Sequence, residues 1–239
     1  MTTRGIRVGT VGLPRKTRNL AASIDVVEIT SGRDLPPAPR VARRLRAAIP
    51  QAVGFTAQLS RFLWEALPAG APAPGDPSQY GRFAVTDENL ALWKRCLDHA
   101  AALAAEALVL LTGADFTPAA GNVRRLAGFL EAARRPEVPV VWLPGGPWEP
   151  AAVATAARNL GLVPAVDPLR DDVPEGPVAY LRLGPFSHLG SRMGTHDLEC
   201  IADAACGRDL CFCLFATPRS LDDARALRRL MSGGPDAKT

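Results

Sequence analysis

One pattern limits the folds open to this chain more than any other. Short, almost continuous apolar runs rich in β-branched residues alternate with stretches of helical periodicity. Residues 6–11, 24–29, 53–57, 107–112, 138–143, 162–166, 178–183 and 210–215 read as eight strands. Residues 38–49, 87–106, 119–134, 150–160, 195–205 and 220–231 read as helices between or after them. Strands this apolar are buried on both faces, so they run parallel beneath helices. Eight strand–helix repeats point to an α/β fold of the TIM-barrel type, a closed (β/α) barrel of parallel strands with surrounding helices. An open doubly wound sheet is the second reading. The Gly-Thr-Val-Gly segment after the first strand lacks full dinucleotide-binding spacing, and no Walker loop, HExxH or GxSxG motif occurs.

The chain reads as a single domain over residues 1–231, with a polar, disordered tail at 232–239. The 239 residues suffice for one barrel, and an apolar share of 47% suffices for its core. Residues 67–85 are rich in Pro, Ala and Gly. They read as a long surface loop rather than a linker, because the same alternation resumes beyond them. Within the helices, Val41, Leu45 and Ile49 are expected to face inward, as are Leu90, Trp93, Leu97, Ala101 and Ala104. Asp87 and Thr195 are expected to cap their helices.

No apolar run reaches the ~18 residues of a membrane span, and the first residues carry no hydrophobic leader stretch. A cytoplasmic location with no membrane partner is the expectation. The net charge of +4 rests on arginine, since only Lys16, Lys94 and Lys238 are lysines. Arg40, Arg43, Arg44 and Arg46 form the densest basic stretch. Phosphate contacts are one reading; a solvated helix face is the plainer one. No aromatic residues are interleaved to stack bases, so nucleic acid is not expected as a partner. Cys96, Cys200, Cys206, Cys211 and Cys213 match no common zinc spacing and read as reduced, mostly buried thiols. No metal and no cofactor is expected.

Several segments resemble, in order, those of the DUF72 (YecE-like) family. They are RVGTVGL (7–13), DVVEITS with Leu35-Pro36, IPQAVGFTAQLSRFL (49–63), LVLLTGADF (108–116), VVWLPGGPW (140–148), AYLRLGP (179–185) and CFCLFATPRSLDDARALRRLM (211–231). The resemblance implies a (β/α) barrel-like fold and no established activity. It also exposes departures. The family's lysine falls on Gln58, its glutamine on Thr112, and the glutamate and arginine of the fifth strand on Trp142 and Pro144. Its histidine falls on Gly184, its paired asparagines on Ala216 and Thr217, and the asparagine after Glu-Ile on Thr30. Glu28, Arg182 and Trp148 survive. The losses gather at strand C-terminal ends, where barrel enzymes place their reactive groups.

Glu28 and Arg182 are the candidate catalytic residues, a general base and an anion clamp; a buried ion pair is the structural alternative. Gln58, Trp148, Thr10 and His188 are the candidate ligand contacts. Trp148 would stack on a sugar or base, or simply pack. His188, His196 and Asp197 have the chemistry of metal ligands, but a solvated loop is the plainer reading. Asp115 follows a strand end and could bind a metal, but the start of a turn is the plainer reading, and His99 reads as structural. Three functions follow: a non-catalytic or weakly active barrel that binds a small-molecule ligand or a protein partner; a hydrolase or lyase acting on a phosphorylated or sugar-like molecule; and, on the arginines alone, a nucleic-acid-associated protein.

Overall fold

The computed structural model describes residues 5–14, 19–68, 70–184 and 193–233. Eight strands form a closed barrel in chain order: β1 (Ile6–Val11), β2 (Val26–Ile29), β3 (Gly54–Gln58), β4 (Ala105–Leu111), β5 (Val140–Leu143), β6 (Val163–Val166), β7 (Val178–Leu183) and β8 (Leu210–Phe215). Closure comes from β1 pairing in parallel with both β2 and β8. The strands lie within two residues of their expected positions, and the open-sheet alternative is set aside. The helices are α1 (Leu20–Ser23), α2 (Pro39–Ala48), α3 (Asp87–Leu103), α4 (Ala120–Ala132), α5 (Pro150–Leu160), α6 (Thr195–Ala205) and α7 (Ser220–Met231). Ser232 and Gly233 continue hydrogen bonding at the end of α7; the rest of the expected tail lies outside the described residues.

Two compact units can be distinguished by contact density. The first comprises Met1–Ile29, Ile49–Phe55 and Pro164–Thr239. Its register places Val11 beside Glu28, Arg7 beside Phe212, Tyr180 beside Phe212 and Arg182 beside Leu214. Neighbours in parallel register point to one face. Arg7, Gly9, Val11, Val26, Glu28, Tyr180, Arg182, Phe212 and Leu214 therefore share a face, and Val8, Thr10, Val27, Cys211 and Cys213 share the other. α7 lies over the outer side. Its Arg228 pairs with Asp25 at 3.1 Å and its Arg225 donates to the Ser23 hydroxyl at 2.9 and 3.0 Å.

The second unit comprises Thr30–Ala48 and Thr56–Val163. An aromatic cluster runs through it: Trp93, Phe129, Phe83, Trp64, Phe116, Trp142 and Trp148, with successive ring centroids 4.8–5.9 Å apart. Phe83 is delivered from the 67–85 loop by an unusual turn. Arg82 and Phe83 both adopt left-handed backbone, φ 54° and 50°, at a cost of about 1–2 kcal/mol each. Asn89 offsets that cost. It is fully buried, accepts from Gly81 N–H at 3.1 Å and donates to the carbonyls of Gly81 and Ala84 at 3.0 and 2.9 Å.

Several local expectations need correction. α3 ends at Leu103, because Ala104 takes a left-handed cap and turns the chain directly into β4, so Glu106 is a strand residue. Its buried stripe is Asn89, Leu92, Trp93, Cys96, His99, Ala100 and Leu103. Of the five expected inward residues only Trp93 is buried; alanine-rich helices carry too weak a period to fix the face. The cap is Thr86, whose hydroxyl accepts from Asn89 N–H at 3.3 Å, rather than Asp87. Gly194 occupies the cap position of α6, and its N–H donates to Asp197 at 2.9 Å, so Thr195 is not the cap. In α2 the small Ala42 turns inward and Val41 is 46% exposed.

Candidate functional site

Glu28 and Arg182 meet. β2 and β7 are separated around the ring by β1 and β8, so side chains from the two can touch only across the interior. Arg182 Nε donates to Glu28 Oε2 at 3.2 Å and Nη2 to Oε1 at 3.3 Å, a fork-on-fork pair. Tyr180, two residues before Arg182 and on the same face, donates its hydroxyl to Oε2 at 2.7 Å. Glu28 has no solvent exposure, while the Arg182 side chain keeps 16%. A carboxylate buried this fully needs its charge matched and its lone pairs occupied, and these two donors do both. Tyr180 was invisible in the sequence as a site residue because it reads as one more strand aromatic. The signal that finds it is parity: it stands at i−2 from the only arginine of its strand.

The second unit supplies strand ends of a different character. Trp142 is fully buried, and its Nε1 donates to the Thr112 hydroxyl at 3.2 Å. The Thr112 hydroxyl also accepts from Gly145 N–H at 3.4 Å. Trp148 donates Nε1 to the Phe116 carbonyl and stacks on the Phe116 ring at 5.8 Å; it is half-buried. Asp115 accepts from Trp64 Nε1 at 2.7 Å, which ties it to the turn after β4. The loop after β5 lies directly on the loop after β4. A Cβ on Gly145 would come within 2.5 Å of the Thr112 carbonyl, and one on Gly146 within 2.7 Å of the Ala114 carbonyl. Gln58, at the end of β3, is buried, and Gly32 packs against its carbonyl.

The remaining candidates are dispersed. Thr10 is fully buried on the face away from Glu28, and its hydroxyl donates to the Gly12 carbonyl at 2.9 Å. A one-residue step along a strand reverses the face, so Thr10 does not join the Glu28 cluster. His188 lies outside the described residues. His196 sits on the exposed side of α6 with its Nε2 3.8 Å from Cys200 Sγ, and Asp197 serves its helix cap. No group of three or more His, Cys, Asp or Glu among the described residues is arranged to hold a metal. Cys211 and Cys213 are buried with their sulfurs 3.9 Å apart; that contact and burial together raise the Cys213 thiol well above its ordinary range. Burial pushes the Cys96 thiol up to about 12. Burial also lowers the His99 imidazole below the usual histidine range, against a smaller opposing effect of the Pro37 carbonyl. Arg40, Arg43 and Arg44 are exposed, while Arg46 is half-buried with its affinity for protons lowered by burial.

A closed eight-stranded ring of parallel strands with helices between them, and a carboxylate–guanidinium pair inside it, defines the class as a TIM-type barrel. Within that class the chain has a DUF72-like fold. It resembles a DUF72 family protein of Enterococcus faecalis V583 with a TM-score of 0.68 at 12% identity, over 96% of this chain and 98% of that one. A DUF72 family protein of Thermotoga maritima MSB8 matches with a TM-score of 0.61 at 13% identity, over 95% and 99%. A xylose isomerase domain protein of Planctomyces limnophilus matches with a TM-score of 0.59 at 12% identity, over 97% of each chain. No family model matches the chain, and no curated protein does. The likeness is therefore one of fold, with a widely divergent sequence. Among the described residues no helix is long and apolar enough to cross a membrane.

Proposed function

We propose that this DUF72-like barrel is a non-catalytic or weakly active member that binds a ligand or a protein partner. The observation that carries the reading is the burial of Trp142. Where the resemblance implies a glutamate, this chain has an indole with no solvent exposure, its one polar atom occupied by Thr112. Thr112 in turn replaces the implied glutamine. An indole and a threonine so engaged offer neither a proton acceptor nor a charge to a substrate. At Glu28 the carboxylate already receives donors from Arg182 and Tyr180, which supports an architectural pair as well.

The test is a thermal-shift screen of metabolites and metal ions, run beside assays with generic phosphate-ester, glycoside and carboxyl-ester substrates. A ligand that binds only the native state raises the transition temperature. The reading expects such a ligand and no turnover above the level of Glu28→Gln. Turnover that Glu28→Gln abolishes would refute it and establish the second reading, a hydrolase or lyase on a phosphorylated or sugar-like molecule. One feature favours that alternative: Arg182 spends only part of its donor set on Glu28 and keeps some exposure.

A further inference from the structure

A cavity in the second unit points to a ligand of definite chemistry. It lies where the chain enters β5 and β6, walled by Trp93, Leu130, Val140, Leu160 and Leu162, and it offers about 100 Å³, open on one side to solvent. Its solvent side is formed by Arg134 and Arg135, both exposed. Neither guanidinium makes an ion pair or hydrogen bond with another described residue. Glu131 stands four residues before Arg135, the spacing of a helical ion pair, but α4 ends at Ala132. Ala133 is extended, φ −81° and ψ 145°, and carries both arginines off the helix. The cavity thus combines apolar side-chain walls with two cations that have no partner among the described residues.

We propose that it binds a small monocarboxylate with a compact branched aliphatic body. A closed cavity of roughly 150 Å³ holds benzene, so the space here suits a body of about four or five carbons. A carboxylate takes paired donors from one guanidinium fork. One feature favours one negative charge over two: Arg135 lies against Gly161, the residue capping α5, where the negative end of the helix dipole offsets part of its charge. The inference is independent of the reading given for Glu28 and Trp142.

The indole N–H of Trp93 is a built-in reporter, because it lines the cavity and donates to the Arg134 carbonyl at 2.8 Å. Titrating isovalerate into the full chain and following the tryptophan indole signals by two-dimensional NMR tests the proposal. The Trp93 signal should shift saturably, with a Kd of about 1 mM or tighter, while the Trp142 signal stays in place. Acetate, which lacks the body, and isoamyl alcohol, which lacks the charge, should each bind at least about tenfold more weakly. Arg134→Met/Arg135→Met, a change at two exposed positions, should abolish the shift while leaving the unliganded spectrum dispersed. Equal binding of acetate, equal binding of the alcohol, an unaffected double variant, or no saturable shift of Trp93 would each overturn it.

Discussion

Replacing Arg182 with alanine removes the cation that faces Glu28 inside the ring, and the structure sets the size of the effect. Glu28 has no contact with solvent, so the stranded carboxylate has no water to replace the lost fork. It keeps the Tyr180 hydroxyl at 2.7 Å. Breaking a buried pair by removing one partner costs about 3–5 kcal/mol. The 16% exposure of Arg182, which admits some water to the gap, places the expected loss in the lower part of that span. For a chain of this size a loss of about 3–4 kcal/mol lowers the transition temperature by roughly 6–16 °C. Urea unfolding followed by circular dichroism measures the loss directly. Two companions separate the charge from the packing. Tyr180→Phe removes one donor and should cost about 1–3 kcal/mol. Glu28→Gln/Arg182→Met removes both charges and should recover most of the Arg182→Ala loss, because no buried charge is then left without its partner. A loss for Arg182→Ala within about 0.5 kcal/mol, the range of an ordinary surface substitution, would refute the coupling. So would a double variant no better than the single one.

Three further outcomes follow from the same structure. Asn89→Ala removes three hydrogen bonds to the left-handed turn, two of them buried, so it should cost about 2–4 kcal/mol, and limited proteolysis should cut first within residues 67–85. His99 is held below its ordinary range by burial, so the unfolded chain protonates first as pH falls; stability should be complete above about pH 6.5 and decline below it by up to ~1.4 kcal/mol per pH unit as pH drops toward the folded value, and His99→Leu should flatten that slope in urea titrations. Cys200 and Cys206 are partly exposed, whereas Cys96, Cys211 and Cys213 are buried with Cys96 and Cys213 raised. Iodoacetamide should therefore label only the first two in the native state and all five after unfolding, as counted by mass spectrometry.

How far the sequence could be read depended on how strong each local signal was. The strands stood out because runs such as VVEI and LCFCLF are too apolar and too short for anything but a doubly covered strand. The Glu28–Arg182 pair was legible for the same reason in reverse, since a charge in such a strand must find a partner. Thr10 was misplaced by one residue of parity, which sends its hydroxyl to the other side of β1. The face of α3 was not legible because its buried stripe is carried by Asn89, Cys96 and His99, residue types that hydropathy does not mark as core. Asn89 also shows what lay beyond reach: its role is set by a turn eight residues earlier whose φ values no composition announces.

The glycine pair after β5 sets what the two loops at that end of the barrel can tolerate. Where two loops press together through peptide groups alone, no side chain remains to be shortened. A side chain at either glycine would meet a backbone carbonyl of the loop after β4, so any substitution there must move the path of the chain and not merely a neighbouring rotamer.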